Sequence, residues 1–279
     1  MPYSPEEVEE LVASVPFWYH SIDLGHLSTP GVTPAQSLSK TFRKLRIPDL
    51  QGKSVLDIGA WDGFYSFKCE QLGASRVVAL DHYVWSLELG PFIAEWASGR
   101  GPGVGEDSEY WHPADLPGRR GYDTAHRILD SRVETVAEDF MVTDLERLGM
   151  YDVVLYLGVL YHIQNPLEAL KRLAAVTREL AVIETSAIAL PFTGKTPLCE
   201  FFETDELNND ASNWWAPNQE ALEGMCRAAG FRRVETVVGP SLMRWLARSS
   251  VSGLRLRSSG NQRNRSPMYR YRAVVHAWK

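Results

Sequence analysis

Three acids stand at or just after short apolar runs. Asp57 lies in the run 55–58, Asp81 follows 76–80, and Asp139 follows 132–137. A carboxylate at such a place can balance a cation or accept from hydroxyl and amino donors. Asp57 suits the amino end of an amino-acid moiety. Asp81 suits both hydroxyls of a ribose, accepted in a bidentate manner. Asp139 suits an exocyclic amine, with Phe140 or its neighbours against the ring. Singly, each has a plain structural reading: a helix-capping acid for Asp57, a loop carboxylate for the others. Three acids after three successive strand-like runs make the stronger statement.

Between the first two acids lies Gly59-Ala60-Trp61-Asp62-Gly63. Glycine has no Cβ, so backbone there can pass close to a ligand. A dinucleotide turn needs G-x-G-x-x-G. Here Trp61 replaces the middle glycine, which disfavours a pyrophosphate at the helix N-terminus. A ligand without phosphates fits better, contacted by Gly59, Ala60, Trp61, Gly63 and Asp57, and beyond them by Asp81, His82 and Asp139. S-adenosylmethionine has that chemistry.

A second anchor runs from Tyr151 to His162. Leu157 and Gly158 fall where its strand should end, under the expected sulfonium. Tyr161 and His162 then face the acceptor. Imidazole can take a proton near neutral pH, so His162 is the candidate general base. The alternative is a histidine that bonds the backbone and shapes the loop, since methyl transfer often needs little beyond alignment.

These residues need strands to hold them. The spacing predicts strands at 55–58, 76–80, 132–137, 151–155, 179–184, 231–238 and 271–277. Helices are predicted at 63–72, 122–129, 166–176 and 218–229. The alternation predicts an α/β fold: a mostly parallel, Rossmann-like sheet covered on both faces, with ligands at the strands' carboxyl ends. Upstream, Ser4-Pro5-Glu6-Glu7 reads as a capping box opening a helix. A second helix is predicted at 34–45. Residues 1–50 are expected to form a helical cap over a catalytic domain, 51–279. Two segments exceed ordinary connections, 84–131 and 241–267. The second carries Arg244, Arg248, Arg255, Arg257, Arg263 and Arg265. It reads as a solvated insertion, or as an anion-binding or gating loop.

Across 279 residues, 44% hydrophobic content allows a sizeable core. A net charge of −6 gives no general pull towards polyanions. The three cysteines are too few and too scattered for a disulfide framework or a zinc pattern. With no signal-like or membrane-spanning apolar run, the expectation is a soluble, cytoplasmic protein without membrane contact.

The chain resembles the class I S-adenosylmethionine-dependent methyltransferases, and within them the branch of the tRNA wobble-uridine carboxymethyltransferases and uncharacterised small-molecule methyltransferases. The resemblance rests on residues 55–64, on Gly158 to His162 with Asn165-Pro166-Leu167, on 18–24 with Thr29-Pro30-Gly31, and on Asn213 to Pro217 before a helix ending Ala229-Gly230-Phe231. It implies a seven-stranded sheet with the cofactor over strands one and four. Asp57, Gly59 and Gly63 would meet the methionine part, Asp81 the ribose and Asp139 the adenine. The carboxymethyltransferases read a carboxylated cofactor partly with a lysine ahead of strand one. Residues 17–24 contain none, although Tyr161 of the Leu-Tyr-His motif is kept. Ordinary S-adenosylmethionine is therefore expected, with S-adenosylhomocysteine as product.

For the acceptor, Trp18, Tyr19, His20, Tyr161, Glu184, Glu203, Asn213, Trp214 and Trp215 are the candidate lining. Aromatic walls with a few polar groups suit a small organic or sugar-like hydroxyl compound. Trp214 and Trp215 also read as packing residues. Acids in 200–210 lack compact ligand spacing, so no metal is expected. The acidic balance speaks against tRNA, which draws most of its affinity from Lys and Arg, while the arginine-rich insertion pulls the other way. A tRNA-modifying enzyme and a non-catalytic cofactor-binding protein remain the alternatives to a small-molecule O-methyltransferase.

Overall fold

The computed structural model describes residues 3–99, 103, 105–190, 194–241 and 269–279. The arginine-rich segment, 242–267, lies outside the described residues.

Helix α1 spans Pro5–Ala13 and opens on the expected capping box. The Glu7 N–H donates to Ser4 Oγ, and the Ser4 N–H to Glu7 Oε2 at 2.7 Å. Helix α2 is Ala35–Leu45. The alternating unit then begins: β1 (Ser54–Ile58), α3 (Phe64–Gln71), β2 (Arg76–Leu80), α4 (Leu89–Ala97), α5 (Arg120–Ile128), β3 (Glu134–Val136), α6 (Leu145–Leu148), β4 (Tyr151–Leu157), α7 (Pro166–Val176) and β5 (Thr177–Ala189). The remainder is β6 (Cys199–Phe201), β7 (Trp215–Pro217), α8 (Gln219–Ala228), β8 (Arg233–Val238) and β9 (Tyr269–Trp278).

Seven strands form one sheet in the order β3-β2-β1-β4-β5-β9-β8. The first five are parallel; β9 runs antiparallel to both β5 and β8. The order reverses between β1 and β4, where open α/β sheets bind ligands. Strands β6 and β7 make a separate antiparallel ribbon that the periodicity did not reveal.

Side chains alternate across each central strand and feed two cores. Val55, Val153 and Leu155 pack on one face with Phe67 of α3 and Tyr122 of α5. Leu56, Val154 and Tyr156 pack on the other with Leu170 and Leu173 of α7 and Leu222 of α8. The N-terminal segment belongs to the first core: Val8, Val12, Trp18, Ile22 and Leu45 are all buried within it. Truncating one fully buried leucine here, such as Leu170→Ala, costs about 2–5 kcal/mol.

Strand five is longer than read. Glu184 does not end it; β5 continues five residues to Ala189, because β9 pairs along it from Leu180↔Trp278 to Ala189↔Tyr269. Strand three is shorter than read, at three residues. The long connection after β2 contains α4, which the sequence reading left unassigned. Pro91 stands in its first turn, where a missing N–H costs no intrahelical bond.

Candidate functional site

The strand ends that carry the site are in register. Ile58 faces Leu80 on one side and Tyr156 on the other, and Leu157 faces Glu184. Gly59, Asp81 and Gly158 therefore leave the sheet along one edge. The Gly59 and Ala60 N–H groups both donate to Leu80 O, at 2.8 and 3.2 Å. The Gly158 N–H donates to Glu184 O at 2.9 Å.

The turn needs its glycines. Gly59 has φ +81°, and a Cβ there would stand 2.5 Å from Val159 Cγ2. Gly63 has φ +88°, and its Cβ would meet the Phe67 and Tyr122 rings within 2.8 Å. Trp61 itself takes the left-handed conformation, φ +52°. Its carbonyl accepts from Trp85 Nε1 at 2.6 Å, and its ring stacks on Tyr19 at 4.0 Å and 13°. Its own Nε1–H is buried with no hydrogen-bond partner among the described residues.

Asp57 is 2% exposed and accepts from Ser66 Oγ at 2.6 Å. Burial pushes its carboxyl up to about 6, against the opposing pull of Ser66 and His20. Asp81 is 4% exposed and accepts from the Trp61 and Val84 N–H groups at 2.9 and 3.1 Å. Burial raises it likewise to about 6. Asp81 therefore ties the turn after β1 to the segment after β2. His82 is half-buried with its ring edge towards Trp111. Asp139 is exposed and accepts from the Met141 N–H at 2.8 Å. Phe140 points into the core, beside Tyr156 and under Arg172.

Asp62 reaches the N-terminal segment. Its Oδ2 accepts from the backbone of Tyr19 and His20, and its Oδ1 pairs with His20 Nδ1. Tyr19 and His20 are thereby set against Trp61 and Tyr65. Trp18 instead is a core residue, its Nε1 donating to Val12 O.

On the acceptor side, Arg272 of β9 makes a bidentate pair with Glu184 of β5. Their register explains it: Arg272 stands opposite Ser186, two residues along the same face from Glu184. The guanidinium lies over the Tyr161 ring at 4.7 Å and, with the Tyr161 hydroxyl, flanks Gly158. Its side chain is 45% exposed. The pKa of the Tyr65 hydroxyl is raised by burial and by the carboxylates of Glu184 and Asp57, so the end of β1 and the middle of β5 share one electrostatic neighbourhood.

His162 Nδ1 meets Ser212 Oγ at 2.8 Å and Ser212 O at 3.2 Å. Burial lowers its pKa. Asn213 is buried and clips its loop, donating to Leu207 O and Asp210 O. Trp214 and Trp215 pack near Phe201, and the Trp215 Nε1 donates to Gln164 O. Glu203 is exposed on the turn after β6. The structure thus gathers Asp57, Gly59, Trp61, Asp81, Leu157, Gly158, Tyr161 and Glu184, with Tyr19 and His20 joined through Asp62. Asp62, Arg272 and Ser212 escaped the sequence reading. Only Asp62 left a local signal, a lone acid inside an otherwise uncharged glycine turn.

A model of the methyltransferase domain matches residues 35–236. A tRNA U34 carboxymethyltransferase of Helicobacter pylori (strain G27) is 28% identical over 192 residues, covering 67% of this chain and 59% of its own. One from Pseudomonas paraeruginosa (strain DSM 24068 / PA7) is 26% identical over 183 residues, covering 66% and 46%. The chain spans less than two thirds of the length of these curated relatives. Among solved structures, the N-terminal domain of EvdMO1 with SAH bound superposes with a TM-score of 0.57 at 14% identity, covering 99% of this chain and 97% of that one. The same domain in the presence of SAH and D-fucose gives 0.56, with the same identity and coverage. This likeness shows the fold. The sheet order and the domain match define a class I S-adenosylmethionine-dependent methyltransferase, and the chain belongs to the methyltransferase domain family. Within it, the chain is related to the branch that holds the tRNA U34 carboxymethyltransferases.

Proposed function

We propose that this chain methylates a hydroxyl of a small, sugar-like acceptor, with His162 as the base. One observation carries this reading. His162 Nε2 makes no hydrogen bond among the described residues, and the ring lies 4.2 Å from that of Tyr161, whose hydroxyl stands 3.6 Å from where a Gly158 Cβ would lie. A proton acceptor and the gap left by a glycine thus both border Tyr161, just after β4. The neighbour that contains SAH and D-fucose supports a sugar-like acceptor.

The residues present fit the cofactor. Asp57 and Asp81 are buried carboxylates that suit an amino group and a ribose. Trp61 Nε1 is a buried donor in want of an acceptor, and Gly59 and Gly158 leave room that a Cβ would take. When bound, S-adenosylmethionine supplies an electrophilic methyl on sulfur. Asp57 balances the amino group, Asp81 accepts the ribose hydroxyls, and exposed Asp139 accepts the adenine amine. Ala60, Gly63, His82 and Leu157 border the same ligand. Tyr19, Trp61 and Tyr161 keep water from the reacting oxygen while His162 takes its proton. Residues 1–50 act as a cap on this site, with 51–279 as the catalytic domain.

Incubation with S-adenosylmethionine and a panel of hydroxylated glycosides, read by mass spectrometry, tests the reading. S-adenosylhomocysteine formed together with a methylated acceptor supports it. Thermal stabilisation by NAD and not by S-adenosylhomocysteine overturns it.

A second reading is carboxymethyl transfer to tRNA, favoured by Arg272 beside Gly158, where a carboxylate on the transferred group would find a cation. A carboxymethylated wobble uridine, formed only with the carboxylated cofactor, would replace the first reading by the second.

A further inference from the structure

We propose that Ser212 and Asp210 are positioning residues that fix His162 as its Nδ1–H tautomer, leaving Nε2 as the proton acceptor. The inference rests on the reading of His162 as the base. It follows from counting hydrogens. The Asp210 carboxylate can only accept, so Ser212 Oγ, 2.6 Å from Asp210 Oδ1, spends its one hydrogen there. The Ser212 carbonyl, 3.2 Å from His162 Nδ1, can also only accept. His162 Nδ1 therefore faces two acceptors, the Ser212 oxygens, and must carry the proton itself. Neutral imidazole has one N–H, so Nε2 holds the lone pair.

The relay is itself braced. The Ser212 N–H donates to Asp210 Oδ1 at 2.9 Å, and Asn213 Nδ2 holds Asp210 O at the same distance. Trp96 at the end of α4 donates to Asn209 O at 2.6 Å. The loop that carries the relay is thus anchored to the segment after β2, while His162 follows β4.

The charged and titratable groups facing His162 come from three elements. Asp210 on the loop raises its pKa, Arg272 on β9, itself paired to Glu184 of β5, lowers it, and Tyr161 stands beside it on its own turn. The neutral form is the active base, so turnover fails as pH falls below the His162 pKa. Asp210→Asn removes a charge that stabilises the imidazolium. The pKa then drops further, and the acid limb of the pH profile moves to lower pH by on the order of one unit.

The test uses the full chain with 15N-labelled histidine. A His162→Gln spectrum assigns the His162 resonances among those of seven histidines. The proposal expects a dominant Nδ1–H tautomer in the unaltered protein, a reduced share of it in Ser212→Ala, where only the backbone carbonyl at 212 still accepts, its recovery in Ser212→Thr, and the lowered pKa in Asp210→Asn. Thermal stabilisation by S-adenosylhomocysteine, unchanged in all three, shows that the variants fold. A dominant Nε2–H tautomer in the unaltered protein, or an unmoved pKa in Asp210→Asn, overturns the proposal. Full turnover by His162→Gln overturns the base assignment instead, and leaves the tautomer result standing.

Discussion

Asp62, at 3% exposure, accepts from the backbone N–H groups of Tyr19 and His20 at 3.0 and 2.8 Å while its other oxygen pairs with the His20 ring. One carboxylate thus clasps the N-terminal segment to the glycine turn. Asp62→Ala strands one buried and one half-buried N–H donor and an imidazole. We expect it to cost about 3 kcal/mol, measured by urea unfolding, and to loosen the Tyr19–Trp61 stack, read by tryptophan fluorescence. An unfolding midpoint equal to that of the unaltered chain would show that the clasp contributes nothing.

The proposed roles of Asp57 and Asp81 predict that stability and cofactor affinity answer pH in opposite directions. Burial raises both carboxyls to about 6, above their ordinary value of 3.8. Between those values the folded chain binds more protons than the unfolded one, so by linkage these groups lower stability as pH rises from about 4 to about 6, with no further change above. Ligand donors need the ionised forms, so S-adenosylhomocysteine should bind more weakly below pH 6, by about tenfold per pH unit for each carboxylate required. Calorimetric titration from pH 5 to 8 reads this. Affinity that stays flat over that range would remove both acids from the binding site.

Gly59→Ala meets two obstacles, φ +81° and a contact of 2.5 Å with Val159 Cγ2. The backbone term alone is about 1–2 kcal/mol. A second change, Val159→Ala, relieves the contact and not the backbone. The double variant should recover part of the lost thermal stability. If Val159→Ala restores nothing, the methyl clash is not what excludes a side chain there.

Trp61→Phe keeps an aromatic ring on Tyr19 and removes the unpartnered Nε1–H. Deleting an unsatisfied buried donor is near neutral or stabilising for the free chain. The melting temperature without cofactor should hold or rise, while affinity for S-adenosylhomocysteine falls by roughly fivefold, the worth of about one hydrogen bond. Undiminished affinity would mean that the indole N–H serves no ligand.

Much of the frame was legible because its signals are local. The capping box at Ser4 and Glu7 lies within one helical turn, and buried runs such as 55–58 and 151–155 differ from their surroundings over four to five residues. The paired glycines around Trp61 announce a tight turn, and both adopt positive φ. The misses have equally physical causes. Strands β6 and β7 are three residues each, too short for a period to register. The far end of β5 is a strand because β9 pairs with it from about eighty positions along the chain.

The sequence by itself determined the seven strands of the main sheet, where the chain turns sharply, and that Asp57 and Asp81 stand at strand ends. Only the tertiary structure decided what these residues meet. Asp62 reaches His20 across 42 positions, Ser212 reaches His162 across 50, and Arg272 reaches Glu184 across 88. Periodicity reports on a window of one or two turns. A side chain's partner is set by how the sheet orders its strands, and that order arises from packing two cores against one sheet.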